Sequence, residues 1–541
     1  MRYGFIIDNR KCIGCHACTT ACKAEHEVPV GVNRTWVKQV EKGEFPNTRR
    51  LFSVMRCNHC TDAPCVEICP VTALYFRDDG IVDFDKDRCI GCKSCMQACP
   101  YDALYIDPQT HTAAKCNYCA HRVDLGLEPA CVNVCPEHAI ISGDMENPES
   151  EISILLSQQV VSVRKAAKGT QPNLFYIDGD ESSLNPVATE RHDNYFWSAQ
   201  TRGVGHYAKN TEKMAYSGDN MIQALLEAKG HTIGATELAS SGPVKSIDLL
   251  MGGARRVYDS PDKGILWGWE VSAYVLTKAV SAGVFLLLFL AWIFGWAEYT
   301  PETFWWIIGT GLVFLGATGL FLVKDLDRPD RFLNVLLRPQ WNSWLVRGGY
   351  SFTIYGGMLT LVALAAFFQW KALQPVLWWI TMAFALLTAV YTAFLFAQAK
   401  GRDFWQSPAL ALHMLVHSLV AGAAALSIIA LWTESGPGWL PFLKTVMLAG
   451  IVLNLATVLV ELTITHPTQE AKKTVEMITR GRYSNLFRWG AIAFGNFLPL
   501  AMLALAGDNP LIAATAGLIL LIGIYIMEKI WVEAPQRISL V

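Results

Sequence analysis

The chain has 541 residues, of which 52% are hydrophobic and 17% are charged, and its formal net charge is −2 at pH 7. Proteins that bind nucleic acid present an excess of basic residues, so this balance indicates no nucleic-acid partner. The length allows two or more domains.

The chain consists of two halves of different composition. All 16 cysteines lie between Cys12 and Cys135, and almost all long apolar runs follow Trp267. The opening segment, MRYGFIID, has neither the apolar stretch of a signal peptide nor a twin-arginine pair, so we expect no export of the cysteine-rich half. Disulfide scaffolds are usually short secreted chains, which makes disulfides a poor explanation of these cysteines.

The cysteines form four quartets that leave none over. They are Cys12, Cys15, Cys18 and Cys22; Cys57, Cys60, Cys65 and Cys69; Cys89, Cys92, Cys95 and Cys99; and Cys116, Cys119, Cys131 and Cys135. A C-x2-C-x2-C-x3-C run places three thiolates around one iron–sulfur cubane, and its fourth cysteine ligates a neighbouring cluster. Zinc sites, the alternative, favour cysteine pairs with wider gaps and often histidine. The spacing therefore predicts four [4Fe–4S] clusters.

The order of these motifs resembles the four-cluster electron-transfer subunits of molybdopterin oxidoreductases, of the polysulfide, dimethyl sulfoxide and nitrite reductase type. The resemblance covers residues 1 to about 180 and includes GTQPNLFYIDGD at 169–180, which looks like the strand that closes such subunits. It implies that the first quartet exchanges ligands with the fourth, and the second with the third. The implied ligand sets are Cys12, Cys15, Cys18 and Cys135; Cys22, Cys116, Cys119 and Cys131; Cys57, Cys60, Cys65 and Cys99; and Cys69, Cys89, Cys92 and Cys95.

Short strand signals, GIVDF, ALYFR and ALYID, often lie beside a quartet. They predict an α+β ferredoxin-like head, a duplicated dicluster ferredoxin, held together by its clusters rather than by a large apolar core.

Residues 181–264 contain no cysteine and no long apolar run. Glycine-rich stretches mark loops, and MIQALLEAKG at 221–230 has helical spacing that Gly230 would end. We expect a surface excursion that packs against the head or a partner, and we assign no chemistry to it.

Apolar runs of the length that spans a bilayer recur after Trp267, and tryptophan clusters flank several of them. They predict an all-α membrane domain of about eight transmembrane helices. The expected spans are 268–296, 303–323, 346–369, 375–398, 410–432, 442–464, 487–506 and 510–532. The predicted domains are therefore a head at 1–180, a linker at 181–264 and a membrane domain at 265–541.

The charges of the loops predict the orientation. One side of the predicted bundle holds fourteen lysines and arginines in its loops and tail, and the other side holds only Lys371 and Lys444. Basic loops lie in the cytoplasm. Because the number of helices is even, we expect the head on the same, cytoplasmic side of the inner membrane.

The membrane half resembles the NrfD-type membrane subunit of polysulfide reductase. The residues that carry the resemblance are DLDRPDRFLNVLLRPQWNSWLVRGGY at 325–350 and WGWEVSAYVLTKAVSAG at 267–283. The resemblance implies eight helices, no haem, and a quinone site near the side that bears the clusters.

Ionisable residues inside a membrane are costly and often functional. Glu270, Tyr274 and Lys278 share one face of the first predicted span, so Tyr274 and Lys278 are candidate hydrogen-bond donors to a quinone and Glu270 a candidate proton relay. The alternative is that Lys278 pairs structurally. Asp325, Arg328 and Arg331 follow the second span, where they shape the mouth of a quinone site or serve only as the basic loop that fixes topology.

Two histidines, His413 and His417, lie four residues apart on the fifth span. Haem between helices usually takes histidines from two helices, so we expect no haem here. A proton path or interhelical hydrogen bonds are favoured for His413 and His417, and Glu461 is a further relay candidate.

The expected function is electron transfer through four [4Fe–4S] clusters between a catalytic subunit and a membrane quinone, menaquinone or ubiquinone. No residue is expected to be catalytic in the chain itself. The resemblance implies a molybdopterin-containing partner acting on sulfite-, polysulfide- or dimethyl sulfoxide-type substrates. The alternatives are a redox-driven proton-translocating module, whose path would need Glu270, Lys278 and Glu461, and a stand-alone ferredoxin:quinone reductase.

Overall fold

The structure is a computed structural model that describes residues 1–43, 47–190, 253–434, 436–505 and 509–541. The helix predicted at 221–230 lies outside the described residues. The strands are β1 (Tyr3–Asp8), β2 (Thr35–Lys42), β3 (Arg49–Arg56), β4 (Leu74–Phe76), β5 (Val82–Phe84), β6 (Leu104–Ile106), β7 (Ala113–Lys115), β8 (Ile140–Asp144), β9 (Val161–Ser162), β10 (Leu174–Ile177) and β11 (Ala254–Tyr258).

The helices divide into short ones in the head and mostly long ones after residue 268. The short ones are α1 (Ala17–Glu25), α2 (Pro64–Glu67), α3 (Ser94–Ala98), α4 (Ala120–Val123), α5 (Ala130–Asn133), α6 (Glu151–Gln158) and α7 (Glu181–Leu184). The later ones are α8 (Trp269–Phe294), α9 (Pro301–Lys324), α10 (Asn334–Leu337), α11 (Trp344–Phe367), α12 (Gln374–Gln398), α13 (Leu410–Ile429), α14 (Trp439–Thr463), α15 (Gln469–Thr479), α16 (Leu486–Leu505) and α17 (Pro510–Gln536).

The head has the predicted α+β ferredoxin-like architecture. Its four-stranded sheet has the order β8-β1-β10-β9, and β10, the strand expected to close the head, runs parallel to β1 with Leu174 opposite Phe5. The other strand signals form the two-stranded hairpins β4–β5 and β6–β7, which lie beside the cysteine loops. Because these strands are only three residues long, most of the cysteines lie on loops and single helical turns.

A three-stranded sheet of order β11-β2-β3 joins the end of the predicted linker to the head. Arg256 on β11 forms an ion pair of 2.8 Å with Asp259, and both side chains are fully buried. The indole N–H of Trp36 on β2 donates to the same carboxylate at 2.7 Å. Residues 254–258 therefore pack as part of the head sheet.

Eight helices of the described residues are long and apolar enough to cross a membrane, one for each predicted span. They are α8, α9, α11, α12, α13, α14, α16 and α17, so the chain is a multi-pass membrane protein with the predicted all-α membrane domain. Of the 18 most apolar consecutive residues of each helix, 72% are buried in α8 and in α13, against 28% in α9 and in α11. The first and fifth spans therefore form the centre of the bundle. The first part of α16, Leu486–Phe497, is a π-helix.

The head packs on the loops that carry most of the positive charge. The backbone N–H of Asp327 donates to the carbonyl of Gly91, and that of Gln340 donates to the carbonyl of Pro70. On the next basic loop, Gly401 donates to the carbonyl of Gln97 at 3.1 Å. The head and the basic loops thus lie on the same side of the bundle, as the parity of the helices predicts.

The two central helices cross at glycines. A Cβ atom at Gly283 on α8 would overlap the backbone oxygen of Ser418, and one at Gly422 on α13 would overlap the backbone of Gly283. The close approach of these backbones requires glycine at both positions.

We expect Gly283→Leu to destabilise the membrane domain by about 3 kcal/mol, because the new side chain forces two central helices apart. Gly309→Leu is the matched control, since no atom lies within 4 Å of the position that a Cβ would take at Gly309 on α9. Thermal denaturation in detergent, followed by size-exclusion chromatography, measures the difference. Equal loss in both variants would contradict the close crossing.

Candidate functional site

The structure gathers the cysteines into the sets that the resemblance implies. Three cavities are each lined by four cysteines that come from two different quartets. The sets are Cys12, Cys15, Cys18 and Cys135; Cys57, Cys60, Cys65 and Cys99; and Cys69, Cys89, Cys92 and Cys95. All 16 cysteines belong to the described part of the chain, and each has a free thiol rather than a disulfide. We name these sets A, C and D, in that order.

The remaining four cysteines form set B: Cys22, Cys116, Cys119 and Cys131. Burial, together with the neighbouring thiols Cys116, Cys131 and Cys119, raises the pKa of Cys22 far above its usual value. Thiols buried in this way are costly to ionise alone, and binding of a cationic cluster core offsets that cost while releasing protons. The donor set therefore fits an iron–sulfur cluster.

The backbone around the cysteines turns so that amides point at sulfur. Gly14 and Gly91 both have positive φ, at 70° and 69°, which only glycine adopts freely. The N–H of Gly91 donates to Sγ of Cys89 at 3.4 Å, and the N–H of Ala73 donates to Sγ of Cys69 at 3.2 Å. Such bonds stabilise thiolate ligands and raise the reduction potential of a cluster.

The four sets follow one another in space. Helix α1 carries Cys18 of set A and Cys22 of set B one turn apart. Sets B and C meet where Cys57 and Cys116 interact electrostatically. Helix α3 and the residue after it hold Cys95 of set D and Cys99 of set C. The order is therefore A, B, C, D from one end of the head to the other.

A buried cation lies against set B. Arg56 is fully buried and donates to Sγ of Cys131 at 3.1 Å, while its Nε and Nη2 have no hydrogen-bond partner among the described residues. Lys115, also fully buried, donates to the backbone carbonyl of Cys116 at 3.0 Å. Unpaired donors beside four thiols fit the negative charge of a bound cluster. Sequence reasoning missed both cations, which lie in strands with no motif of their own.

A membrane cavity adjoins set D. It has a volume of about 240 Å³ and lies among α8, α9, α11, α12 and the cluster loop, with Cys92 in its wall. Two of the predicted quinone residues, Tyr274 and Asp325, line it. The rest of the wall is largely apolar side chains, and Tyr391 on α12 adds a second phenol.

Lys278 and Glu270 do not line this cavity. Lys278 is buried behind the wall, where it donates to the carbonyl of Ala389 and to Oγ1 of Thr392, and its Nζ lies 4.8 Å from the ring centroid of Tyr391. Lys278 therefore makes structural hydrogen bonds, which is the alternative to a role as a donor to a quinone. The carboxylate of Glu270, near the start of α8, lies 3.9 Å from Nζ of Lys324 at the end of α9.

Asp325 lies at the end of the cavity that faces the head. Nζ of Lys93, beside Cys92 in sequence, is 3.6 Å from its carboxylate and donates to its backbone carbonyl at 2.6 Å. Burial raises the pKa of the Asp325 carboxyl to about 7, with further increases from Glu270 and Asp327, although Lys93 opposes the shift. Asp325 can therefore hold or release a proton near neutral pH.

Arg328 and Arg331 hold the head rather than lining the cavity. Nη1 of Arg331 donates to the carbonyls of Lys86 and Cys89 at 2.8 and 3.1 Å. Arg328 donates to the carboxylate of Asp330 and to the carbonyl of Thr110. They thus fix the loop that carries set D.

His413 and Glu461 lie deep in the second half of the bundle, away from the cavity wall. Nδ1 of His413 is 3.0 Å from Glu461, an interhelical hydrogen bond of the kind predicted. Glu270, Lys278 and Glu461, which the proton-translocating alternative requires, make separate contacts in the described structure.

Sequence reasoning also missed three residues in these regions. Trp267 lines the cavity, donates its indole N–H to the carbonyl of Cys92 at 3.1 Å and stacks on Phe396. Tyr391 lies in an apolar run that gave no sign of a site. Glu528, a buried charge in the last span, is within 2.6 Å of His417 and would have been found by a full search for intramembrane charges.

Comparisons with known proteins find family models that match the membrane half and the cysteine-rich half of the chain. Residues 260–531 match the family model described as polysulphide reductase, NrfD. Residues 11–74 and 48–145 match models of 4Fe-4S dicluster domains.

Curated relatives match the head. Protein NrfC of Escherichia coli is 44% identical over 181 residues, which are 33% of this chain and 81% of that protein. The thiosulfate reductase electron transfer subunit PhsB of Salmonella typhi is 42% identical over 177 residues, 32% of this chain and 91% of that protein. One of the polysulfide reductase chains of Wolinella succinogenes is 42% identical over 188 residues, 34% of this chain and 97% of that protein.

We expect Arg56→Gln to lower the reduction potential of one cluster by about 60 mV, because a hydrogen bond to a charged group is worth about 1.5 kcal/mol and removing the cation disfavours the added electron. Arg49→Gln is the control, since Arg49 is exposed and pairs only with Asp178 among the described residues. Redox titration followed by electron paramagnetic resonance measures the potentials. If all potentials remain unchanged in Arg56→Gln, the assigned contact is wrong.

Proposed function

Because this protein belongs to the polysulphide reductase NrfD family and joins its membrane domain to an iron–sulfur electron-transfer head, we propose that it carries electrons between membrane quinone and a molybdopterin-containing catalytic subunit. In this proposal each of sets A, B, C and D holds one [4Fe–4S] cluster. The clusters supply one-electron redox chemistry, and the protein supplies their spacing, potential and insulation. The proposed domains are 1–180, 181–264 and 265–541.

The observation that carries the proposal is the shared wall between set D and the membrane cavity. Cys92, a proposed cluster ligand, and Tyr274, a residue of a membrane helix, line the same space. A lipid-soluble redox partner in that cavity would lie directly beside the last cluster.

The chemistry of the cavity suits a quinone. An apolar cavity of roughly 150 Å³ already accommodates benzene, so about 240 Å³ admits a substituted ring. Binding sites of this kind combine apolar walls with a few placed polar groups. Tyr274 offers a phenol to a quinone oxygen, and Asp325 exchanges the proton that accompanies electron transfer. Lys278 supports the wall from behind through Tyr391.

The opposite end of the cluster chain suits a catalytic partner. Cys15 of set A is exposed, and the neighbouring Ile13 is 55% exposed. Relatives of the head come from thiosulfate and polysulfide reductases, which supports a partner acting on a sulfite-, polysulfide- or dimethyl sulfoxide-type substrate. We propose that the partner docks over set A and that the head faces the cytoplasm, since it packs on the basic loops.

Purification of the native complex tests the partner. We expect a second, larger subunit with about one molybdenum atom per complex and about sixteen iron atoms per copy of this chain, from four cubanes. Metal analysis of the complex extracted in mild detergent provides both numbers. Recovery of the chain alone, with full iron and quinone reduction by a ferredoxin, would instead support the stand-alone reductase.

Replacing Asp325 with Asn is expected to slow quinone turnover at least tenfold at neutral pH, since proton transfer by a placed side chain contributes roughly 10²–10⁴ in rate. The carboxyl is protonated below a pKa of about 7 and ionised above it, so quinone reduction by the wild type should fall as the pH rises through about 7. The variant should lose this inflection. The readout is quinone reduction by the chemically reduced protein from about pH 5.5 to about pH 8.5, a range that brackets this pKa.

The matched control is Asp330→Asn, in the same loop but exposed and paired with Arg328. It should keep the rate and pH profile of the wild type. An unchanged inflection in Asp325→Asn would show that another group exchanges the proton.

A further inference from the structure

A cluster of four ionisable side chains lies in the second half of the bundle, outside the cavity and the cluster chain. His413 and His417 on α13 face Glu461 on α14 and Glu528 on α17, and all four are at most 2% exposed. We propose that His413, His417 and Glu528 bind a divalent transition-metal ion, such as Zn²⁺, which ties α13 to α17 and, through Glu461, to α14.

The hydrogen bonds of the two histidines indicate which ring nitrogen of each carries a proton and which faces Glu528. Nε2 of His417 is 2.9 Å from Oδ1 of Asn454, whose amide nitrogen donates to Oδ1 of Asn496 at 3.0 Å. Asn496 in turn donates to the backbone carbonyl of Ala491 at 2.8 Å. A carbonyl can only accept, so the direction of this series of hydrogen bonds is fixed and Nε2 of His417 carries the proton. In the neutral imidazole of His417, Nδ1 then presents a lone pair.

The same reasoning applies to His413. Its Nδ1 donates to Oε2 of Glu461 at 3.0 Å, and Trp531 donates to the same oxygen at 3.0 Å. In the neutral ring, Nε2 of His413 then carries a lone pair; it is fully buried and has no hydrogen-bond partner among the described residues. Both lone pairs face one atom, Oε1 of Glu528, at 3.9 Å from His413 and 2.6 Å from His417.

Three lone-pair atoms that face one another can share a metal cation between them. All three lie within 4.8 Å of one another, and their separations fall on either side of the roughly 3.3 Å expected between two ligands about 2.0–2.1 Å from a tetrahedral zinc ion. Two imidazoles and one carboxylate, with a further position open, form a common donor set for such ions.

The surroundings have the features of a metal site. Each histidine anchors its other ring nitrogen, one on Glu461 and one on Asn454, which fixes the ring and its tautomer as the outer partners of metal ligands do. The charge of the site also favours a cation. The ion pairs of the described residues give Glu461 and Glu528 only histidine partners, so a divalent ion would neutralise two carboxylates in a low-dielectric interior.

Zinc binding to the purified full-length protein tests this inference. The protein is incubated with Zn²⁺, freed of loosely bound metal, and analysed for zinc and iron by mass spectrometry and for zinc ligands by K-edge X-ray absorption. We expect about one zinc per chain, with nitrogen and oxygen ligands at about 2.0–2.1 Å, the scattering pattern of imidazole, and no sulfur.

Two variants locate the ion. Glu528→Gln, which keeps the shape of the side chain, and His413→Ala should each lower zinc binding at least tenfold without loss of iron. His466→Gln is the control, because His466 contacts Phe404 rather than His413, His417 or Glu528. This variant should bind zinc like the wild type. The wild-type absorption spectrum gives an answer even if a variant does not fold.

Two results would overturn the inference. Zinc with sulfur ligands would mean that it occupies the cysteine sets, and no retained zinc would mean that a shared proton fills the space between the histidines and Glu528. Iron content and quinone reduction, measured on the same samples, report on the proposed electron transfer independently.

Discussion

The contact between the cluster loop of the head and the second membrane loop is the constraint on which electron transfer depends. Backbone N–H groups of Asp327 and Arg328 donate to the carbonyls of Gly91 and Ile90, and Lys93 reaches back to Asp325. Backbone bonds fix position more firmly than exposed side-chain pairs, which are worth little and move readily. This contact holds Cys92 in the cavity wall, so the membrane domain and the cluster chain are continuous.

The head combines small apolar cores with its buried cysteines. Its hairpin strands are three residues long, and twelve of its sixteen thiols are buried. Four thiols brought together without iron would repel one another once ionised, and Arg56 would lack partners for two of its nitrogens. We therefore expect cluster insertion and folding of the head to be linked.

The sequence alone predicted the features that have a regular spacing or a characteristic length, namely the cysteine motifs and the membrane helices. Cysteine spacing indicated the quartets, apolar length indicated eight membrane helices, and the even number of helices indicated that the head lies on the side of the basic loops. Spacing indicated that a fourth cysteine ligates a neighbouring cluster, but which quartets exchange ligands came only from family resemblance, because spacing does not say which other thiols lie near Cys135 in space. Contacts between distant segments were not predictable. Tyr391 is one polar residue in an apolar run, and Arg331 binds backbone carbonyls that no sequence pattern reveals. The π-helix at 486–497 was also not predicted, because it has no sequence period of its own.

The covalent connection between head and bundle has a consequence for assembly. The relatives that match the head align with only about a third of this chain, so they correspond to the head alone, whereas here the docking of Gly91 on Asp327 takes place within one molecule. Because the head is covalently linked to the bundle, its effective concentration there is roughly millimolar. Even a weak interface between them therefore stays closed when few copies of the protein are present in the membrane. The link also fixes the ratio of head to membrane domain at one to one, whatever the level of expression.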